Sequence, residues 1–153
     1  MAEAVLGFGD KACEWYRMIN PIEHSRTREA VNKYKVEPYV ISADIYGANN
    51  LSGRGGWTWY TGSASWYYKV GVEYILGLKI KKKKLSIEPC IPKNWKEFKM
   101  KYKFEDNVYN ITVKNPNSKN TGITQFLLNG EIQNEKVITL SGKDKINNIE
   151  IIM

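Results

Sequence analysis

TGSASWYYKVGVEYILGL, residues 61–78, reads as a helix that is apolar almost all round. Ala64, Trp66, Tyr67, Val70, Val72, Tyr74, Ile75 and Leu76 leave no wide polar face, and a helix of that kind needs cover on several sides. The three or four helices this chain predicts are too few to supply that cover, so helices outside it are expected around this one. Beyond residue 80 the period of the apolar residues falls to two. In KMKYKFEDNVYNITVK, residues 99–114, Met100, Tyr102 and Phe104 alternate with lysines. After a turn at Glu105-Asp106-Asn107, the residues Tyr109, Ile111 and Val113 alternate with Asn110, Thr112 and Lys114. That is a hairpin with one wet face. Asn129-Gly130 is a second hairpin turn signal, and Val137–Leu140 and Ile146–Ile152 supply further strands.

Working back from residue 61, the loop GRGGWTWYTGSASW, residues 53–66, leads straight into the helix start. Gly53, Gly55 and Gly56 allow backbone conformations and close ligand approach that a side chain would block. Thr61-Gly62-Ser63 leaves N–H groups unpaired at a helix N-terminus, which favours an anion. Arg54 adds a positive charge, and Trp57, Trp59, Tyr60 and Trp66 add flat faces. Glycines and a cap alone describe a turn ahead of a buried helix; the whole cluster describes a site for a sugar ring beside a phosphate.

Further upstream, Val5, Phe8, Ala12, Trp15 and Ile19 step by three and four, which predicts one amphipathic helix ending before Asn20-Pro21. A second helix is predicted over Arg26–Tyr34. A third is predicted over Tyr39–Tyr46, since Pro38 suits a first helical turn, with Gly47 as its stop. The expected fold class is therefore α+β, with a helical part over residues 1–80 and a small antiparallel sheet or sandwich over 81–153. Lys79–Lys84 is expected to be the exposed junction between them.

The 153 residues carry a formal net charge of +7, but the lysines concentrate at Lys79–Lys84, read as an exposed junction, and at Lys93–Lys103, where Lys99, Lys101 and Lys103 alternate as on a solvated sheet face. No aromatic reader motif accompanies them, so nucleic acid is not expected as a partner. The first residues lack a secretion leader and no apolar run reaches membrane-spanning length, so a cytoplasmic protein with no membrane partner is expected. Cys13 and Cys90 are too few for a disulfide framework or a zinc site and read as buried thiols, and no metal is expected. Asn110-Ile111-Thr112 is a glycosylation sequon only in form.

VEPYVISADIYG (36–47), the loop at 53–66, YILGLKI (74–80) and IEPCIPKNWKEFKMKYKF (87–104) resemble the C-terminal part of the inverting disaccharide phosphorylases of glycoside hydrolase family 94. AEAVLGFGDKACEWYRMINP and YNITVKNPN are similar to the same family, so the resemblance runs along essentially the whole chain. The family includes cellobiose and chitobiose phosphorylases and the phosphorylase-like module of cyclic β-1,2-glucan synthases. The resemblance implies the last helices of an (α/α)6 barrel over 1–80 and a β-sandwich domain over 81–153. It also implies reversible phosphorolysis of a β-glucoside with inversion, giving an α-sugar 1-phosphate, with inorganic phosphate as co-substrate and no cofactor. Thr61 and Gly62 match the family's phosphate-contacting Thr-Gly pair, and Arg54, Trp57 and Trp59 would line the sugar site.

The family's catalytic aspartate, and the arginine and histidine completing its phosphate site, match no position of this chain. His24, in INPIEHSR, matches no phosphate ligand and reads as a surface or helix-start histidine. Asp44, Glu37 and Glu73 are the carboxylates nearest the loop in sequence; Glu37 and Asp44 read as caps or hydrogen-bond partners rather than as a general acid. The resemblance thus implies a C-terminal fragment, inactive alone, of an enzyme acting on an oligosaccharide or β-glucan: either a truncated gene product or one piece of a split enzyme whose other chain carries the rest of the barrel. The alternative is a non-catalytic carbohydrate-binding or structural accessory module.

Overall fold

The computed structural model describes residues 1–59, 61–140 and 146–153, with the Thr61 side chain outside the described set. The chain divides into two compact units, Met1–Cys13 with Val72–Met153, and Glu14–Gly71. Its elements are mixed α and β, with few helices.

The amphipathic stretch expected as one helix is two: α1 (Ala2–Val5) and α2 (Gly9–Ile19). The break falls at Gly7, whose φ of +86° lies outside helical space and is open to glycine at no steric cost. Gly9 then lets α2 start flush against the chain at Ile91, since a Cβ there would collide with the Ile91 carbonyl. Asp10, in the first turn of α2, accepts from the Lys93 N–H at 3.0 Å and from Asn120 Nδ2 at 3.0 Å. The apolar stripe is largely uncovered, with Val5, Phe8, Trp15 and Ile19 all exposed and only Ala12 buried.

In the second unit, a 3-10 turn over Glu23–Ser25 leads to α3 (Arg28–Tyr34). Thr27 Oγ1 caps α3 by accepting from the Ala30 N–H at 3.1 Å, and Lys35 ends it with φ +54°. The helix expected over Tyr39–Tyr46 does not form. Pro38 occupies the second position of a turn, closed by the Val40 N–H donating to the Glu37 carbonyl at 3.2 Å. The ring fixes a φ near −65° that serves a turn as well as a first helical residue. Asp44–Ile45 instead form β1, paired antiparallel with β2 (Gly55–Gly56).

The helix expected over 61–78 is α4 (Thr61–Lys69) followed by a π-helix over Val70–Ile75. Tyr67 stacks on Tyr16 at 3.9 Å between ring centroids and donates its hydroxyl to the Tyr16 carbonyl at 3.1 Å. Burial first, and that hydrogen bond second, push the Tyr67 phenol far above its ordinary range, so it stays a donor. Gly71 admits the same Tyr16, whose hydroxyl lies 2.6 Å from where a Cβ would stand.

In the first unit, Gly77 (φ +78°) leads into β3 (Leu78–Lys81), which pairs with β4 (Lys84–Ile87). Lys79–Lys84, expected as a junction, is thus a hairpin. Its turn residues Lys82 and Lys83 both have positive φ, +51° and +62°, as a right-twisted two-residue turn requires. The remaining strands are β5 (Glu97–Phe104), β6 (Asn107–Lys114), β7 (Gln125–Leu128), β8 (Glu131–Ile132), β9 (Val137–Thr139) and β10 (Ile146–Ile152). They form sheets in the orders β3-β4-β9 and β5-β6-β10-β7-β8. The β5–β6 hairpin has the expected faces: Tyr109, Ile111 and Val113 are buried while Lys99, Lys101 and Lys103 are exposed. One expectation needs correction: the larger sheet is not purely antiparallel, because β10 runs parallel to β6, Ile146 opposite Val108 through Ile152 opposite Lys114.

Buried side chains concentrate in these strands, among them Leu85, Ile87, Phe126, Ile149 and Ile151. Each stabilises by roughly 1.5–3 kcal/mol relative to exposure. Asn115 is also fully buried. It closes the loop after β6 by donating to the Lys119 carbonyl and accepting from the Lys119 N–H, both at 2.8 Å.

Candidate functional site

The β1–β2 hairpin places the loop singled out in the sequence. Beyond the paired residues it is tied by the Tyr46 N–H donating to the Arg54 carbonyl at 2.9 Å and the Ala43 N–H donating to the Trp57 carbonyl at 3.0 Å. Gly53 turns the chain with φ +84°. Gly55 and Gly56 are buried, and a Cβ at either would strike this chain's own side chains, Val36 at Gly55 and the Tyr46 hydroxyl at Gly56. The sequence expectation that all three glycines open the loop to a ligand is therefore corrected: Gly55 and Gly56 admit Val36 and Tyr46.

Trp57 and Trp59 follow, and both adopt left-handed backbone, φ +48° and +65°. For residues with a Cβ that conformation costs roughly 1–2 kcal/mol each, and it persists only where surrounding structure fixes it. The Trp57 carbonyl is held by Ala43, and Trp59 Nε1 donates to Glu37 Oε1 at 3.3 Å. Tyr39 packs edge-on against Trp59, centroids 6.1 Å apart and planes 68° apart. Yet the rings are not buried: Trp57 is 72 %, Trp59 64 % and Tyr39 73 % exposed. Strain held by the backbone while the side chains face solvent is the opposite of what packing alone selects. Arg54 is exposed on the same hairpin.

Two residues beyond Trp59, α4 begins at Thr61. Gly62 in its first turn is exposed, and a Cβ added there would meet nothing within 4 Å. Its φ is not in the left-handed region, so neither conformation nor neighbours among the described residues require glycine. Tyr60, the Thr61 side chain and the strip 141–145 lie outside the described residues. Trp66, also named from the sequence, is 57 % exposed, with Lys69 Nζ 5.4 Å from its ring centroid.

The remaining candidates have structural partners. His24 Nε2 lies 2.7 Å from the Met18 carbonyl, and its ring stacks on Tyr34 at 4.8 Å. Glu37 is engaged with Trp59, Asp44 sits on β1, and Glu73 lies in the π-helix. Cys13 and Cys90 are both buried, and burial pushes the Cys90 thiol pKa up. Among the described residues no cluster of three or more His, Cys, Asp or Glu could hold a metal, and no helix is long and apolar enough to cross a membrane. Tyr39 escaped the sequence reading because a helix was expected there. The signal was present in Glu37-Pro38-Tyr39, a turn as readily as a helix start.

Comparison with known proteins adds a family to this geometry. Residues 1–77, which span α1 through the π-helix and so include the whole candidate site, match the Glycosyl hydrolase 94 superfamily, catalytic domain. The chain is similar to the cyclic beta-(1,2)-glucan synthase NdvB of Rhizobium meliloti (strain 1021), 44 % identical over 68 % of this chain and 4 % of that protein. It is 34 % identical to the N,N'-diacetylchitobiose phosphorylase of Vibrio furnissii over 86 % of this chain and 16 % of the relative. It is 28 % identical to the solabiose phosphorylase of Paenibacillus borealis over 100 % of this chain and 20 % of the relative. This chain thus spans a fifth or less of the length of each of these relatives. With the family match covering half the chain and long alignments reaching into its strands, the chain belongs to the glycosyl hydrolase 94 superfamily.

Proposed function

We propose that this chain is the C-terminal part of a carbohydrate phosphorylase-type glycosyltransferase and is inactive by itself. In this reading residues 1–80 contribute the last helices of an (α/α)6 barrel and residues 81–153 a β-sandwich domain. The rest of the barrel lies outside these residues, the protein works in the cytoplasm, and neither nucleic acid nor membrane is a partner. The whole enzyme would convert an oligosaccharide or β-glucan and inorganic phosphate into an α-sugar 1-phosphate and a shortened sugar. A carboxylic acid outside this chain protonates the glycosidic oxygen while a phosphate oxygen forms the new bond to the anomeric carbon from the opposite face. The old glycosidic bond breaks and the configuration inverts. The Thr61 hydroxyl and the Gly62 N–H would donate to phosphate at the helix start, Arg54 would add charge, and Trp57 and Trp59 would face the sugar.

The observation that carries this reading is the pairing of strained, outward-facing Trp57 and Trp59 with an open helix start at Gly62. Flat faces suit the C–H faces of a sugar and exposed N–H groups suit its phosphate partner. A second reading, a non-catalytic carbohydrate-binding module, draws on the same exposed tryptophans but gives phosphate no role. The test is the purified chain in phosphate buffer with cellobiose, chitobiose or a β-1,2-glucan. No sugar 1-phosphate above a no-enzyme control is expected, since the proton donor is absent and such a group contributes about a hundred- to ten-thousand-fold. Turnover that disappears in Asp44→Asn would overturn the reading and place the acid in this chain.

A further inference from the structure

Resting on that reading and deepening its sugar site, we propose that Tyr39 and Trp59 form a corner that receives one pyranose ring of a neutral glucan. Glu37 acts as the positioning residue that fixes Trp59. The rings meet edge to face, 68° between planes, and stand 73 % and 64 % exposed. A corner of two aromatic walls suits a puckered ring whose axial C–H bonds form an apolar face and whose hydroxyls point outward. The half-buried Glu37 carboxylate at the indole N–H, 3.3 Å away, disfavours an anionic sugar at the same place.

The backbone supports a use beyond packing. Trp59 holds φ +65°, a conformation that asparagine or glycine adopts more easily, and its exposed ring contributes little burial in return. The Glu37 turn and the Trp59 backbone conformation together aim the indole. Glu37 reaches Trp59 from the Pro38 turn, closed by the Val40 N–H on the Glu37 carbonyl at 3.2 Å, so carboxylate and Tyr39 are delivered by one hydrogen-bonded turn.

The test uses the full chain labelled with nitrogen-15 and titrated with cellotetraose, with adenosine as a flat control. The Trp59 indole N–H signal, identified by its loss in Trp59→Phe, is expected to shift with cellotetraose, with saturation passing from aromatic protons to sugar C–H protons. Tyr39→Ala is expected to weaken binding about three- to tenfold, by loss of one aromatic face, and Tyr39→Phe to retain it. Glu37→Ala is expected to weaken binding by a similar factor and Glu37→Gln, which keeps an acceptor for the indole, to restore it. A Trp59 signal indifferent to cellotetraose, equal shifts with adenosine, or Tyr39→Ala without effect would each overturn the corner. The phosphorylase reading stands or falls separately, on whether Thr61→Val changes the KM for phosphate in a chimera that completes the barrel.

Discussion

Gly62 separates a site from a helix cap more cleanly than any other residue of the loop. Alanine at an open helical position is favoured over glycine by roughly 0.5–1 kcal/mol, and nothing within 4 Å obstructs a Cβ at Gly62. Gly62→Ala is therefore expected to raise the denaturant midpoint of this chain while weakening phosphate binding, because in the proposed site the added methyl would stand where phosphate approaches the N–H. A variant that gains stability and leaves the Gly62-region amides equally responsive to phosphate would make Gly62 structural. Sequence alone placed Thr61 and Gly62 at the helix start and named Trp57 and Trp59. It did not distinguish Gly62, facing open space, from Gly55 and Gly56, pressed on Val36 and Tyr46, because those neighbours are set by the hairpin. Nor was the left-handed backbone of two tryptophans legible, since bulky residues rarely adopt it.

At the scale of elements, the start of α2 is fixed by the fit of Gly9 on the Ile91 backbone and by the bonds of Asp10. Gly9→Ala forces a Cβ onto a carbonyl that cannot rotate away, and overpacking of this kind costs about 1–3 kcal/mol or more. The expected result in urea is an unfolding free energy lower than for Gly62→Ala by at least that margin. Asp10 shows the pH dependence. Hydrogen bonds, first from Asn120 and then from the Lys93 N–H, hold its carboxyl pKa below the ordinary value. The ionised form is therefore favoured in the fold: its contribution is present above about pH 4, the unfolded value, and is lost as pH falls through the lower folded value. Asp10→Asn should lower the melting temperature at pH 7 and flatten the acid limb of the stability curve; an unchanged acid limb would contradict this. The helix expected over Tyr39–Tyr46 failed because Pro38 serves a turn equally well and Asp44–Ile45 find partners at Gly55–Gly56. The Lys82-Lys83 turn was invisible because its residues are not those that usually take positive φ. By contrast Asn129-Gly130, both at positive φ, was legible from composition alone.

Over the whole molecule, the strands after residue 80 were readable from alternation, whereas the parallel pairing of β10 with β6 was not, because it joins residues far apart in sequence. The unit Glu14–Gly71 exposes Trp15, Ile19, Ile22, Trp66 and Tyr68, as a surface awaiting further helices would. Hydrogen exchange on a verified monomer is expected to show weaker protection over 14–71 than in β4, β6 and β10, whose side chains are more deeply buried; uniformly strong protection would contradict the proposal that barrel helices belong around this chain. The most direct test of the phosphate site is a chimera. In it this chain replaces the matching part of the Vibrio furnissii phosphorylase, and Thr61→Val is compared with its parent. Losing a hydrogen bond to a charged group costs roughly 1.5–3 kcal/mol, so the KM for phosphate should rise about ten- to more than a hundredfold while the KM for disaccharide changes far less. An unaltered KM for phosphate, accompanied only by a loss of about 1 kcal/mol in stability as for an N-cap, would contradict the account.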